Sequence, residues 1–159
     1  MEHKLFRGVA TALVTPFRLD FIHEEAYDRL LQRQVGAGVA AVVVCGTTGE
    51  SATLTDGEKL ELIRRTVDTV RGRCLVIAGT GSNDTAHAIA LSRAAEAQGA
   101  DALLVVTPYY NKATPQGLRE HYLALAEQVH IPIILYNVPS RTGVDVPVEV
   151  YRDLAAHPN

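Results

Sequence analysis

Residues 41–51 read AVVVCGTTGES, an apolar run that ends at a cysteine and is followed by a turn rich in hydroxyl groups. An uninterrupted apolar run of this length is typical of a strand that is buried on both faces. The turn sets Thr47 and Thr48 side by side between two glycines. It is either a plain connection that also caps the next helix or a binding site for a small anion, because turn amides and adjacent hydroxyls can converge on a negative charge.

Similar apolar runs recur at intervals of about thirty residues, the length of one βα unit. Amphipathic stretches between these runs predict helices. Because the runs are nearly continuous rather than alternating, they favour a parallel sheet with both faces covered. The predicted strands span residues 9–14, 41–45, 75–78, 102–106 and 131–136, and the predicted helices span 24–35, 55–70, 85–98 and 115–129, with a fifth that begins at Pro147.

Repeated βα units fit either a doubly wound open sheet or a (β/α)8 barrel. The nearest match to a dinucleotide-binding motif, residues 79–84, lacks the third glycine and follows the third strand. Polar and glycine-rich residues instead follow every predicted strand, at the end where barrels carry their active sites. We therefore predict an α/β fold, a TIM (β/α)8 barrel of which the first five βα units are present and the chain ends before strand six. Residues 1–159 would be the N-terminal part of a single barrel domain whose remainder is absent from the chain.

The composition excludes several functional classes. Of the 159 residues, 47% are apolar and 21% charged, which is typical of one globular domain. The net charge of −3 argues against a nucleic-acid partner, and no apolar run is long enough for a membrane span. Two cysteines are too few for a zinc site, and the histidines lack metal-binding spacing. We expect a soluble, cytoplasmic protein without a metal or other cofactor.

Three loops after predicted strands carry the candidate chemistry: GTTGES (46–51), TPYYN (107–111) and LYNVPSRTG (135–143). Arg141 in the third loop is suited to a bidentate contact with a carboxylate, although loop arginines are often simply solvated. A tyrosine such as Tyr110 or Tyr136 can pass a proton only within a hydrogen-bond chain, and the alternative role is packing. Without a pair of carboxylates, the set favours binding of a carboxylic acid and proton transfer over glycoside hydrolysis or metal chemistry.

Four motifs at the ends of predicted strands, GTTGESATL, AGTGSN, TPYYNK and YNVPSRTG, resemble the dihydrodipicolinate synthase family, class I pyruvate aldolases related to N-acetylneuraminate lyase. The likeness runs from about residue 6 to the last residue. It implies a lyase-type barrel enzyme that condenses pyruvate with L-aspartate 4-semialdehyde through a lysine Schiff base, in diaminopimelate and lysine biosynthesis. The arginine-containing turn favours this activity over that of a sugar-acid lyase, which stays an alternative.

The resemblance implies a role for each matching residue. Thr47 and Thr48 would hold the pyruvate carboxylate, and Arg141 the carboxylate of the semialdehyde. Thr48, Tyr136 and Tyr110 would form the proton relay. Tyr110 would reach into a neighbouring subunit's site, so the resemblance implies a homo-oligomer, either a dimer or a tetramer.

The catalytic lysine of the family lies on the sixth strand, and this chain ends at DLAAHPN, before that strand. The chain's lysines are Lys4, Lys59 and Lys112, and none of them ends a predicted strand. We therefore expect an incomplete synthase that retains the carboxylate site and the relay, lacks the Schiff-base lysine and is inactive alone. A non-enzymatic fragment is a further alternative.

Many family members bind lysine as a feedback inhibitor at a subunit interface. The resemblance implies a matching regulatory site in this chain, although histidines that the sensitive enzymes carry after GESATL are absent here and an acidic ligand is replaced by His87. A cationic Lys59 should disfavour a lysine ligand, so we expect weak or no inhibition. The positions implied for this site are Ser51, Ala52, Lys59, Asn83, His87 and Tyr109.

Overall fold

The computed structural model describes residues 5–159, so Lys4 lies outside the described residues. Five parallel strands form one sheet, and a two-stranded antiparallel hairpin follows the first of them. In chain order the strands are β1 (Ala10–Ala12), β2 (Phe17–Arg18), β3 (Phe21–Ile22), β4 (Ala41–Val44), β5 (Leu75–Gly79), β6 (Ala102–Val106) and β7 (Ile133–Tyr136).

Helices connect the strands of the parallel sheet. Five of them correspond to the predicted helices, and the short helix α5 and the 3-10 turn were not predicted. The helices are α1 (Glu24–Gly36), α2 (Asp56–Val70), α3 (Thr85–Ala97), α4 (Pro115–Ala126), α5 (Pro139–Thr142) and α6 (Val148–Leu154), and a 3-10 helix spans Thr47–Gly49.

The sheet order is β1-β4-β5-β6-β7, so each strand pairs with the next one of the parallel set along the chain. The pairings keep a regular parallel register, for example Val43 beside Ile77 and Val106 beside Tyr136. A doubly wound sheet would reverse its strand order at a switch point. The sequential order is that of consecutive units in a (β/α)8 barrel, which confirms the predicted fold class.

The helix starts follow from local sequence. Thr55 caps α2 in a capping box, in which its hydroxyl accepts from the Glu58 amide and the Glu58 carboxylate accepts from the Thr55 amide. Thr114 caps α4 and Pro115 occupies the first turn, where a missing N–H costs nothing. Asp84 caps α3 through the amides of Ala86 and His87. The helices therefore begin at fixed points relative to the strand ends.

The sheet is apolar on both faces, as the continuous runs predicted. One face packs on the helices and includes Leu103 and Val105. The opposite face, which would line the inside of a barrel, includes Ile77 and Ala102. Burial of both faces leaves the strand ends as the place where polar groups can gather.

We expect the stability of the protein to fall below pH 6.5 because of His121 in α4. The side chain is 4% exposed, and its Nδ1 lies 2.9 Å from Thr85 Oγ1. Burial lowers the pKa of His121 below its usual 6.5. Below that pH the unfolded chain binds a proton at His121 that the folded chain does not bind, so each further pH unit costs up to about 1.4 kcal/mol of unfolding free energy, until the folded-state pKa is reached.

Urea unfolding at pH 7, 6 and 5, on the wild type and on His121→Gln, measures this contribution. The variant cannot titrate at this position, so its unfolding free energy should fall less steeply between pH 7 and 5. Identical pH slopes for the two proteins would contradict the assignment to His121.

Candidate active site

A cavity of about 780 Å³ opens at the carboxyl ends of the parallel strands. We call it the strand-end cavity. It brings together three of the residues singled out in the sequence, namely Thr47 after β4, Tyr136 at the end of β7 and Arg141 on α5. Of the residues implied for a regulatory site, Ser51, Ala52, Lys59, His87 and Tyr109 also line it, whereas Thr48, Asn83 and Tyr110 are not among its lining residues.

The turn at residues 46–51, called here the threonine turn, is held by backbone and side-chain contacts. The amide of Gly49 donates to Gly46 O at 3.0 Å, and the buried Thr15 hydroxyl donates to Gly49 O at 2.8 Å. Two non-glycine residues with left-handed backbone, Cys45 (φ 55°) and Glu50 (φ 60°), flank the 3-10 helix. Such conformations are costly and cluster at functional sites.

The first amides of a helical turn have no acceptor within that turn, so the 3-10 helix leaves the amides of Thr47 and Thr48 without a partner of its own. The sequence left open whether this turn merely caps the next helix. The structure answers this for α2, because α2 begins at Asp56 and is capped by Thr55. The threonine pair therefore does not cap α2.

Tyr136 is the last residue of β7 and is held in the sheet. Its neighbour in register is Val106, and its carbonyl accepts from the amide of Thr107 at 3.1 Å. The phenol ring consequently stands on the face of the sheet that opens into the strand-end cavity.

Arg141 follows on α5, a helix of four residues that ends at Gly143 with φ 71°. Its side chain is exposed and forms no ion pair with any residue from 5 to 159. A guanidinium that lines a cavity and keeps its donors free is suited to a carboxylate ligand.

Four polar side chains that line the cavity are joined in a chain of contacts, called here the strap, which connects α2 to α3 and to Ser82 before it. Asp56 lies at its centre, with Oδ1 3.6 Å from Lys59 Nζ and Oδ2 2.8 Å from His87 Nε2. The other ring nitrogen of His87 lies 3.1 Å from Ser82 Oγ. The hydrogen bond from His87 is the main reason that the pKa of Asp56 lies below its usual value.

The burial of Lys59 was not anticipated from the sequence, which indicated only a position near a helix start. Lys59 is 9% exposed and lies within the first two turns of α2. A lysine at this point in an amphipathic helix carries no sequence signal for burial, since the cavity that receives it is formed by strands far away in sequence.

The two tyrosines of the TPYYN loop lie differently. Tyr109 lines the strand-end cavity, whereas Tyr110 is 89% exposed and has a left-handed backbone (φ 71°). Asn111 in the same loop donates from Nδ2 to Asn83 O at 3.2 Å, which joins this loop to the one after β5.

The part of the chain that the structure describes contains no cluster of three or more histidine, cysteine or acidic side chains able to hold a metal ion. Over the same residues, no helix has the length and apolar character needed to cross a membrane.

Comparison with known proteins gives consistent matches along almost the whole chain. The model of the dihydrodipicolinate synthetase family matches residues 5–159. The 4-hydroxy-tetrahydrodipicolinate synthase of Phenylobacterium zucineum (strain HLK1) is 51% identical over 159 residues, which cover 100% of this chain and 54% of that protein.

Solved structures agree with the sequence matches. Dihydrodipicolinate synthase from Aquifex aeolicus matches with a TM-score of 0.93 and 48% identity, over 95% of this chain and 52% of that chain. The chloride-inhibited dihydrodipicolinate synthase from Acinetobacter baumannii, complexed with pyruvate, matches with a TM-score of 0.94 and 44% identity, over 96% and 53% of the two chains. The chain thus spans about half the length of the relatives it matches.

Proposed function

Because this chain belongs to the dihydrodipicolinate synthetase family, we propose that it supplies the carboxylate-binding part of a 4-hydroxy-tetrahydrodipicolinate synthase. The reaction would be the lyase-class condensation of pyruvate with L-aspartate 4-semialdehyde. One observation carries the proposal: Thr47, Tyr136 and Arg141, which come from different strand ends, line a single cavity. A relative of known structure binds pyruvate, which supports the choice of ligand.

The threonine turn would bind the carboxylate of pyruvate. Thr47 lines the strand-end cavity, and its hydroxyl and the amides of Thr47 and Thr48, which the 3-10 helix does not use, would be the donors. Hydrogen bonds to a charged acceptor are stronger than those between neutral groups. Thr15 and the backbone bonds of the turn hold these donors in place before the ligand arrives, which lowers the entropic cost of binding.

Arg141 would bind the carboxylate of the semialdehyde. The guanidinium presents two parallel N–H donors to a planar carboxylate. Its position in the same cavity as Thr47 would set the aldehyde beside the bound pyruvate, and holding two reactants together lowers the barrier to their condensation.

Thr48, Tyr136 and Tyr110 would form the proton relay. A phenol exchanges protons at neutral pH only when hydrogen-bonded partners hold it in place. The high exposure of Tyr110 supports a role in a neighbouring subunit's site, and hence a homo-oligomer, a dimer or a tetramer.

Neither described lysine is suited to form the Schiff base. Lys59 lies on helix α2 and Lys112 is exposed in the loop after β6, so we assign the Schiff base to neither. We further propose a cytoplasmic location, in keeping with a biosynthetic role.

The residues implied for the regulatory site would disfavour lysine as a ligand. The Lys59 ammonium lies within the strap, where Asp56 already accepts from His87. A lysine ligand would bring a second ammonium close to that of Lys59, and like charges at short range repel. Asp56 is the one carboxylate of the strap, and both of its oxygens are engaged.

Isothermal titration calorimetry of this chain with pyruvate tests the proposed function. We expect saturable binding that Thr47→Val weakens about tenfold, because that variant lacks the Thr47 hydroxyl. L-lysine injected over the same range should give no saturable heat, for the electrostatic reason above. Absence of pyruvate binding up to tens of millimolar, with the protein folded by circular dichroism, would contradict the proposed function.

A further inference from the structure

The loop that carries Arg141 contains too little regular secondary structure to be stable without further contacts. We call residues 137–145 the arginine loop. Its only helix, α5, has four residues, and isolated helices of that length are unstable because nucleation costs more than one turn of hydrogen bonds returns. The direction of the Arg141 side chain must therefore be fixed by contacts that the rest of the loop makes.

Side-chain hydrogen bonds supply those contacts. Asn137 Nδ2 donates to Asp145 Oδ1 at 2.8 Å, which joins the first residue of the arginine loop to its last. Within the loop, Thr142 Oγ1 lies 3.2 Å from Val138 O and 3.1 Å from Val144 O. The loop is thus closed at its base by one side-chain pair and braced internally by one hydroxyl.

Both ends of the closing pair are attached to rigid parts of the fold. Asn137 directly follows Tyr136, whose carbonyl accepts from the amide of Thr107, the residue after the neighbouring strand β6. Asp145 lies between Val144 and Val146, which are buried against Leu118 and Val150 in a small apolar cluster. The hydrogen bond consequently connects the end of the sheet to a packed core.

Asn137 and Asp145 do not line the strand-end cavity. Successive residues at a strand end point to opposite faces, so Tyr136 faces the cavity and Asn137 faces away from it. Asn137 Oδ1 is buried without a hydrogen-bond partner among the described residues, so among these residues the Asn137 side chain bonds to Asp145 alone. The pair therefore makes no direct contact with a ligand in that cavity and would act on it through the arginine loop.

We propose that the Asn137–Asp145 pair is a clamp that positions Arg141 for the carboxylate of the aldehyde substrate. Asn137 and Asp145 are positioning residues and not catalytic ones. This inference rests on the proposed function, since it assigns Arg141 that carboxylate. Without the clamp the arginine loop samples more conformations, and the ligand must order the loop when it binds. This ordering cost weakens the binding of the ligand that contacts Arg141, and it does not affect the ligand of the threonine turn.

The test compares two ligands on the same set of variants of this chain. The probes are succinate semialdehyde, which has an aldehyde and a carboxylate, and pyruvate. For Asn137→Ala and Asp145→Ala we expect the Kd of succinate semialdehyde to rise about tenfold, the effect of losing one hydrogen bond to a charged group. The Kd of pyruvate should change less than about twofold, because the threonine turn is untouched.

Two further variants distinguish a positioning effect on Arg141 from a general loss of structure. Asp145→Asn keeps an Oδ1 acceptor for Asn137, so it should restore most of the semialdehyde affinity. Gln116→Ala removes an amide-to-carboxylate hydrogen bond of the same kind, to Glu120 on α4 and outside the strand-end cavity, and should leave both Kd values unchanged. Urea unfolding of each variant checks that the fold is retained.

The outcomes distinguish this inference from the proposed function. If Asn137→Ala leaves the Kd of succinate semialdehyde unchanged, or weakens both ligands equally, the clamp does not position Arg141. If Arg141→Met loses that ligand while Asn137→Ala does not, only the clamp fails. If Arg141→Met binds succinate semialdehyde as the wild type does, the proposed role of Arg141 fails as well.

Discussion

Replacement of Gly79 by alanine is expected to destabilise the protein by about 3 kcal/mol or to prevent its folding, because the added methyl group meets a neighbouring backbone. A Cβ atom at Gly79 would lie 2.1 Å from Cys45 O and 2.6 Å from Cys45 C. These atoms belong to the main chain at the end of β4, where Cys45 already has a left-handed backbone. The contact cannot be relieved by a side-chain rotation, so β4 and β5 would have to separate beside the threonine turn.

Chemical denaturation of Gly79→Ala measures this effect, with Gly57→Ala as the matched control. Gly57 lies in α2 with no atom within 4 Å of its added methyl group, so the same change there should be neutral or stabilising by up to about 1 kcal/mol. An unfolding free energy of Gly79→Ala within about 0.5 kcal/mol of the wild type, the range of an unremarkable surface substitution, would show that the strand ends are not packed as described.

Arg141→Met and Thr47→Val are expected to affect different ligands. Arg141→Met removes the guanidinium, and it should raise the Kd of succinate semialdehyde about a hundredfold, because two charge-assisted hydrogen bonds disappear. Loss of the Thr47 hydroxyl should raise the Kd of pyruvate about tenfold. Each variant should leave the other ligand nearly unchanged, since the residues proposed to bind the two carboxylates come from different strand ends around one cavity.

Calorimetry with both ligands measures the two Kd values for each of these variants and so shows which ligand each variant affects. Arg93→Met is the matched control for charge, because Arg93 is exposed on α3 and does not line the strand-end cavity. If Arg93→Met weakens the semialdehyde as much as Arg141→Met does, the effect is one of net charge and not of a specific carboxylate contact. Equal losses of both ligands in Arg141→Met or in Thr47→Val would also contradict separate binding positions.

The strands and the long helices could be predicted because their signals are local. Continuous apolar runs mark strands covered on both faces, and the Thr55–Glu58 capping box marks the start of α2 directly. The hairpin of β2 and β3 was not predicted, because two-residue strands leave no periodic pattern in the sequence. The helix α5 was not predicted for the same reason, since four residues that begin with a proline are equally typical of a turn.

The candidate site was predictable only in part. The positions of Thr47, Tyr136 and Arg141 after strands indicated that they would meet, because parallel strands end at the same edge of the sheet. Which side chains actually line the cavity depends on backbone conformation at single residues. The left-handed backbone of Tyr110 and the burial of Lys59 are examples, and neither is encoded in a local pattern.

The central claim is that the threonine turn binds the carboxylate of pyruvate. Residue-resolved amide spectra of the 15N-labelled chain, recorded while pyruvate is added, test it most directly. We expect saturable shifts for the amides of residues 46–51, with smaller shifts near Tyr136 and none in α6. Saturable shifts confined to other parts of the chain, with the amides of residues 46–51 unmoved, would contradict it.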